Sequence, residues 1–265
     1  MPRPSLGGDP GKGWGLAVTS ESVLVLAAAA LLVGCLIGSV GIGGVLLPPA
    51  LAYLGGLDIH LAMATSMFSF LFTGTVGTVS YSRKRSVDWR AVRWLAVGVT
   101  PAAVLGARSN ASLSANTLTT VLAIIVIGSG LNALRTPPSP SAQPRVLGSW
   151  SLLGIGAIVG FGSALSGTGG PILLVPALLA MGVLPLTAIA ASQVVQVPVA
   201  ASATAGYLLY GRVDLALGAI CGAVGMLGVV AGASLAHRLP ALVLRRIVAW
   251  ALIVAGLLIV VLRLG

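Results

Sequence analysis

From Ser22 to Val40, and again from Ala216 to Ala236, the chain carries no charged residue and almost no polar one. Runs of roughly 20 apolar residues match the length a helix needs to cross the hydrocarbon of a bilayer. Backbone in lipid must also satisfy its own hydrogen bonds, which leaves helices and closed barrels as the only spanning forms. Val121 to Ile127 is apolar on every face, so the alternation of a barrel strand is absent. The expected fold class is therefore all-α, a polytopic helical membrane protein in a lipid bilayer. With 57% hydrophobic and 8% charged residues, most of the chain has lipid as its solvent.

The formal charge of +10 does not point to nucleic acid. The basic residues fall in short clusters between the apolar runs, where they set topology. Cys35 and Cys221 lie inside apolar runs and have no disulfide or metal-site spacing, so both are read as packing residues. Leu32-Val33-Gly34-Cys35 resembles a lipoprotein processing site, but the apolar run continues beyond Cys35, and the same run recurs in the second half. Residues 1–20, rich in Gly and Pro, are expected to form a flexible tail.

Slid against itself by 126 positions, the sequence matches without gaps. Gly34 meets Gly160, Gly41 meets Gly167, Ser66 meets Ser192, Tyr81 meets Tyr207, and Val87-Asp88 meets Val213-Asp214. Two homologous repeats follow, 21–134 and 148–265, joined by a Pro-rich linker at 135–147. Each repeat reads as five segments: 22–40, 43–56, 60–82, 90–108 and 115–134 in the first, 148–165, 169–182, 186–210, 214–236 and 241–263 in the second. The second segment of each is too short to span, so the first two are expected to form a re-entrant or broken pair. If that pair returns to one side, the repeats are inverted and cytoplasmic loops hold ten of the 15 basic residues. If it continues across, the repeats are parallel and the count is 11 of 15. Charge leaves both open; the inverted arrangement is favoured because paired broken helices at the midplane are how many secondary transporters build a site.

The two turns read Gly38-Ser39-Val40-Gly41-Ile42-Gly43-Gly44 and Leu165-Ser166-Gly167-Thr168-Gly169-Gly170-Pro171. Closely spaced glycines allow tight reversal, and Pro171 suits the first position of a new helix. A helix starting inside the membrane presents free N–H groups and the positive end of its dipole, which attract an anion without a cationic side chain. Ser39, Gly41, Gly43, Gly44, Ser166, Thr168, Gly169 and Gly170 are thus the candidate substrate-binding residues. The bland reading, glycines that only let helices pack closely, is weaker for two matched turns that each precede a segment too short to span. Thr65, Ser66, Ser192, Gln193 and Gln196 on the third segments are candidate lining residues, with interhelical hydrogen bonding as the plainer role.

All five acids lie in the tail or at segment ends, so no buried carboxylate offers itself for cation coupling. Asp88 and Asp214 are expected to be helix N-caps or interface anchors. His60 and His237 lie at segment ends as interfacial side chains, and Arg108, Arg212 and Arg238 lie where they could draw an anion into a vestibule or reach the headgroups. Neither a cofactor nor a metal site is indicated. An intramembrane protease is disfavoured, because Ala164 stands two before Ser166 where a rhomboid-like site wants Gly, and no acid lies mid-segment.

With Gly41-Ile42-Gly43-Gly44 followed by Pro48 and Pro49, Gly167-Thr168-Gly169-Gly170-Pro171 followed by Pro176, and the duplicated halves, the chain resembles the sulfite exporter TauE/SafE family. That resemblance implies a multi-pass carrier of the bacterial plasma (inner) membrane for a small sulfur-containing anion such as sulfite, sulfoacetate or another sulfonate. It also implies proton coupling, although no carboxylate here supports it, and leaves room for a homodimer. The alternative is an anion channel using the same helix termini.

Overall fold

The computed structural model describes residues 20–110 and 147–240, with single positions among 112–131 and 242–261. The expected tail, almost all of the 135–147 linker and most of both fifth segments lie outside the described residues. In the two continuous stretches every element is helical: α1 (Ser20–Val40), an irregular apolar segment α2 (Gly43–Leu54), α3 (Ile59–Arg83), α4 (Trp89–Asn110), α5 (Ser149–Ser166), α6 (Pro171–Ala180), α7 (Pro185–Tyr210) and α8 (Leu215–Ala236). Of these, α3, α5, α7 and α8 are long and apolar enough to cross a membrane. Large apolar side chains such as Trp150, Ile158 and Leu227 stand more than two-thirds exposed, as lipid-facing residues do.

Helix starts follow the acids. The Asp88 carboxylate accepts from the Arg90 and Ala91 N–H groups, and that of Asp214 from Leu217 N–H at 2.9 Å. These caps satisfy donors that the first turn of a helix leaves orphaned. The matched Val-Asp pairs are therefore the entry points of α4 and α8, and Asp58 caps α3 in the same way.

The long helices pack chiefly across the repeats. α1 lies along α8 and α5 along α4, while α3 packs on α8 and α7 on α4. Each repeat has thus exchanged its fourth helix with the other, giving one bundle of α1, α2, α3 and α8 and another of α4, α5, α6 and α7. The bundles meet where α3 packs on α7. Small residues make the exchanged contacts close. A Cβ on Gly34 would run into the Gly225 carbonyl, and one on Gly160 would stand 2.8 Å from Val99 Cα. Gly34 and Gly160, and likewise Val99 and Gly225, are 126 positions apart, so the two interfaces are copies of one another. That is the reciprocity a two-fold relation imposes.

The helix directions follow from which ends share a cavity. Leu26 and Ala27 of α1, Gly55 and Gly56 after α2, His60 of α3 and Tyr207 of α7 line one cavity. At the opposite end Asp88, Leu152, Leu178 and Thr187 line another. The end of α2 thus shares a cavity with the start of α1, and the end of α6 with the start of α5. α3 and α7 run in opposite directions through the centre.

Candidate functional site

The two glycine turns meet in the middle of the protein. A Cβ on Gly44 would strike the Thr168 carbonyl, and the fully buried Phe70 ring touches both Gly44 and Gly169. Gly41, with φ of 76°, packs against Val175 and lies near the Ser192 hydroxyl. At the second turn Gly167, Gly169 and Gly170 all have positive φ, and Gly170 at φ 103° is the residue from which α6 starts. Only glycine takes that backbone without strain.

Ending α1 and α5 inside the protein leaves carbonyls that a buried setting cannot satisfy by itself. Side chains from the long helices take over. The Tyr81 hydroxyl donates to the Gly38 carbonyl at 2.6 Å, and Tyr207 donates to that of Ala164. Gln193 Nε2 donates to Ile37 O at 2.8 Å, and Asn110 Nδ2 to Leu165 O at 2.7 Å. Both tyrosine bonds join residues 43 apart in sequence, so the matched tyrosines do the same work in each repeat.

All thirteen candidate residues are buried. Several of their hydroxyl protons are already committed: Ser39 donates to Cys35 O, Ser66 to Ala62 O, Ser166 to Gly162 O and Ser192 to Ile189 O, each at 2.7 Å. Thr168 Oγ1 lies 3.0 Å from Ser166 Oγ. Since Ser166 has one proton and gives it to Gly162, Thr168 is the donor of that pair. Thr65 lies apart from the turns and accepts the Asp214 N–H, tying α3 to the start of α8. Gln196 crosses the bundle interface, donating to Thr73 Oγ1 at 2.9 Å and to the Phe70 carbonyl at 3.4 Å. Gly43 packs against the last turns of α1.

Among the described residues, backbone N–H groups at both turns lack a partner, Ile42, Gly43 and Gly44 at the first. At the second, the N–H groups of Gly167 and Thr168 return to Ser163 O, and α6 begins its own ladder with Leu173 and Leu174 on Gly170 O. Gly169, Gly170 and Ile172 donate no hydrogen bond within the described residues. Three N–H groups at a helix start form an anion-attracting concavity.

Two cavities flank this centre. One of about 970 Å³ reaches in between the ends of α4 and α7 on one side and the starts of α3 and α8 on the other. Its floor includes Asn110 and Tyr207, the two side chains that hold the last carbonyls of α5. His60 lines it and is hydrogen-bonded to Asn110 at 3.0 Å. The other cavity, at the opposite end, is about 80 Å³. Seven of the ten residues around it stand 126 positions from a residue lining the large one, among them Asp88 with Asp214 and Leu152 with Leu26. They are matched cavities of unlike size. Thr78 Oγ1 bonds the Gln193 carbonyl at 3.3 Å on the side of the small one, whereas its counterpart Thr204 Oγ1, on the side of the large one, has no partner among the described residues.

Residues 26–259 match the sulfite exporter TauE/SafE family. The chain belongs to that family. As a TauE/SafE protein it is similar to a probable membrane transporter protein YunE of Bacillus subtilis (strain 168), 24% identical over 62% of this chain and 70% of that one. A probable membrane transporter protein of Xylella fastidiosa is 28% identical over 61% of this chain and 64% of its own. A second Bacillus subtilis relative, the probable membrane transporter protein YjnA, is 32% identical over a shorter stretch, 28% of this chain and 30% of its own. No solved structure matches. This TauE/SafE chain is a membrane transporter of several apolar helices.

Sequence reasoning passed over Phe70, Asn110, Ser163 and the hydrogen-bonding role of Tyr81 and Tyr207. The tyrosines were visible as matched positions. Asn110 falls just past the segment as drawn to residue 108, and Phe70 looks like any apolar residue of α3.

Proposed function

We propose that the chain is a secondary carrier for a small sulfur-containing anion, sulfite, sulfoacetate or another sulfonate, taken at the two glycine turns between the bundles. The observation that carries this reading is the repeated cavity, about 970 Å³ at one end and about 80 Å³ at the other. A pore needs a continuous path, whereas a carrier with matched halves holds one vestibule open and its counterpart shut. The anion class is supported by the unbonded N–H groups at the start of α6 and by the absence of any acid near the turns. The family's name favours sulfite.

The antiparallel course of α3 and α7, with the ends of α2 and α6 sharing cavities with the starts of α1 and α5, supports inverted repeats with re-entrant pairs. Arg83, Lys84, Arg85, Arg90 and Arg238 gather at the closed end, against Arg108 and Arg212 at the open one. Basic residues favour the cytoplasm, so the large cavity faces outward across a bacterial inner membrane. Because each repeat has exchanged its fourth helix, the parts that move past one another are the two mixed bundles and not the two sequence halves.

Uptake and counterflow in proteoliposomes, with sulfite, sulfoacetate, taurine, thiosulfate and chloride, with and without a pH gradient, test the proposal. Saturable counterflow of one sulfur oxyanion is expected. Unitary currents in planar bilayers would instead establish a channel.

A further inference from the structure

The two turns are not equivalent as anion sites. The first opens into a four-residue 3₁₀ stretch, Gly43–Leu46, then three α-helical residues and a π-helical turn, so no regular dipole accumulates behind it. The second opens into α6, a regular helix of ten residues. Buried hydroxyls differ as well. Those of Ser39, Ser66, Ser166 and Ser192 close back on carbonyls of their own helix, and Thr168 is spent on Ser166. Ser163, on α5 one turn before the second glycine turn, does not: its Oγ is completely buried and has no partner. It lies 3.9 Å from the point where a Cβ on Gly170 would stand, at the start of α6. The matching position in the first repeat is Ile37, which carries no hydroxyl and whose carbonyl is taken by Gln193 and Gly41.

An unpartnered buried hydroxyl costs free energy unless something outside the chain satisfies it. The Ser163 Oγ lies beside the turn whose Gly169, Gly170 and Ile172 N–H groups are uncommitted; the first turn, where Ile42, Gly43 and Gly44 are uncommitted too, has no such hydroxyl among the described residues. The large cavity is lined by Asn110 and Tyr207, which hold the carbonyls of Leu165 and Ala164 just before this turn, although no residue of either turn lines it.

We propose that the anion is held by the second turn alone, with Ser163 donating a hydrogen bond to one oxyanion oxygen beside the α6 N–H groups, while the first turn only seals the site. This rests on the anion-carrier reading above. The ligand class it specifies is a compact group with several equivalent oxygens, such as sulfite or a sulfonate.

The test is equilibrium binding of radiolabelled sulfite, with sulfoacetate and chloride as competitors, to purified full-length wild type, Ser163→Ala and Thr204→Val, together with the ligand-free melting temperature of each. Loss of a hydrogen bond to a charged group weakens binding by about ten- to hundredfold. That loss is expected for Ser163→Ala, with a ligand-free melting temperature no lower than wild type, because no internal bond is broken. Thr204→Val is expected to bind within about twofold of wild type, since its hydroxyl is equally unpartnered but lies towards the end of α7. Wild-type affinity in Ser163→Ala overturns the assignment, as does weakened binding accompanied by a lower ligand-free melting temperature, which marks a structural serine. Wild-type protein that binds none of the three anions overturns the anion-carrier reading itself, and this inference with it.

Discussion

Tyr207 of α7 donates its hydroxyl to the carbonyl of Ala164, two residues before α5 breaks, and so closes a hydrogen-bonding gap that membrane burial would otherwise leave open. Tyr81 closes the equivalent gap at Gly38.

Replacing either tyrosine with phenylalanine leaves a buried carbonyl without a donor, at a cost of about 1–3 kcal/mol. Tyr207→Phe and Tyr81→Phe are expected to lower the unfolding midpoint of the detergent-solubilised protein by similar amounts. A drop in only one of them would show that the repeats do not share this device.

Packing sets a second expectation. Gly160→Leu drives a side chain into Val99 of α4, whereas Gly154, on the same helix, has nothing within 4 Å of its Cβ position. Overpacking of this kind costs about 1–3 kcal/mol or more. Gly160→Leu should therefore lose monodisperse protein on size-exclusion chromatography, and Gly154→Leu should behave as wild type.

The hydrogen bond from Thr78 to the Gln193 carbonyl holds the bundles together at the closed end. Removing it with Thr78→Val should make that end open more often. A bond worth about 1 kcal/mol corresponds to roughly a fivefold change in population. Maleimide labelling of an Ala191→Cys reporter, which lines the small cavity and is 2% exposed, should accelerate by about that factor. Thr204→Val, at a hydroxyl already without a partner, should leave the rate unchanged.

Orientation is checked by the same chemistry. Ala216 and Arg90 stand 126 positions apart, and one lines each cavity. In intact cells a membrane-impermeant maleimide should label Ala216→Cys, while Arg90→Cys should react only after permeabilisation. Labelling of both from outside would reverse or abolish the proposed topology.

Much of the architecture was legible in the sequence because lipid imposes a simple grammar. Spanning segments must be long, apolar and helical, and a duplication survives as matched glycines, tyrosines and aspartates. Segment boundaries drawn at 60–82 and 186–210 correspond to α3 at Ile59–Arg83 and α7 at Pro185–Tyr210. The caps at Asp88 and Asp214 were readable for the same reason, since a short acceptor just before an apolar run has one main use. The glycine turns announced a break, because a stretch of 14 residues cannot cross a bilayer.

Which donors at those turns remain free was not legible, because hydroxyls commit their protons according to local helix geometry, and Ser39, Ser163 and Ser166 look alike in a string of letters. The exchange of the fourth helices between repeats was equally hidden, since periodicity records that a helix buries a face without recording which helix covers it. The sequence alone determined an all-helical membrane protein, because hydropathy is a property of the chain. Only the tertiary structure decided that the matched cavities differ in size, through contacts between residues more than a hundred positions apart, and that Ser39 rather than Ser163 finds a carbonyl of its own helix for its proton.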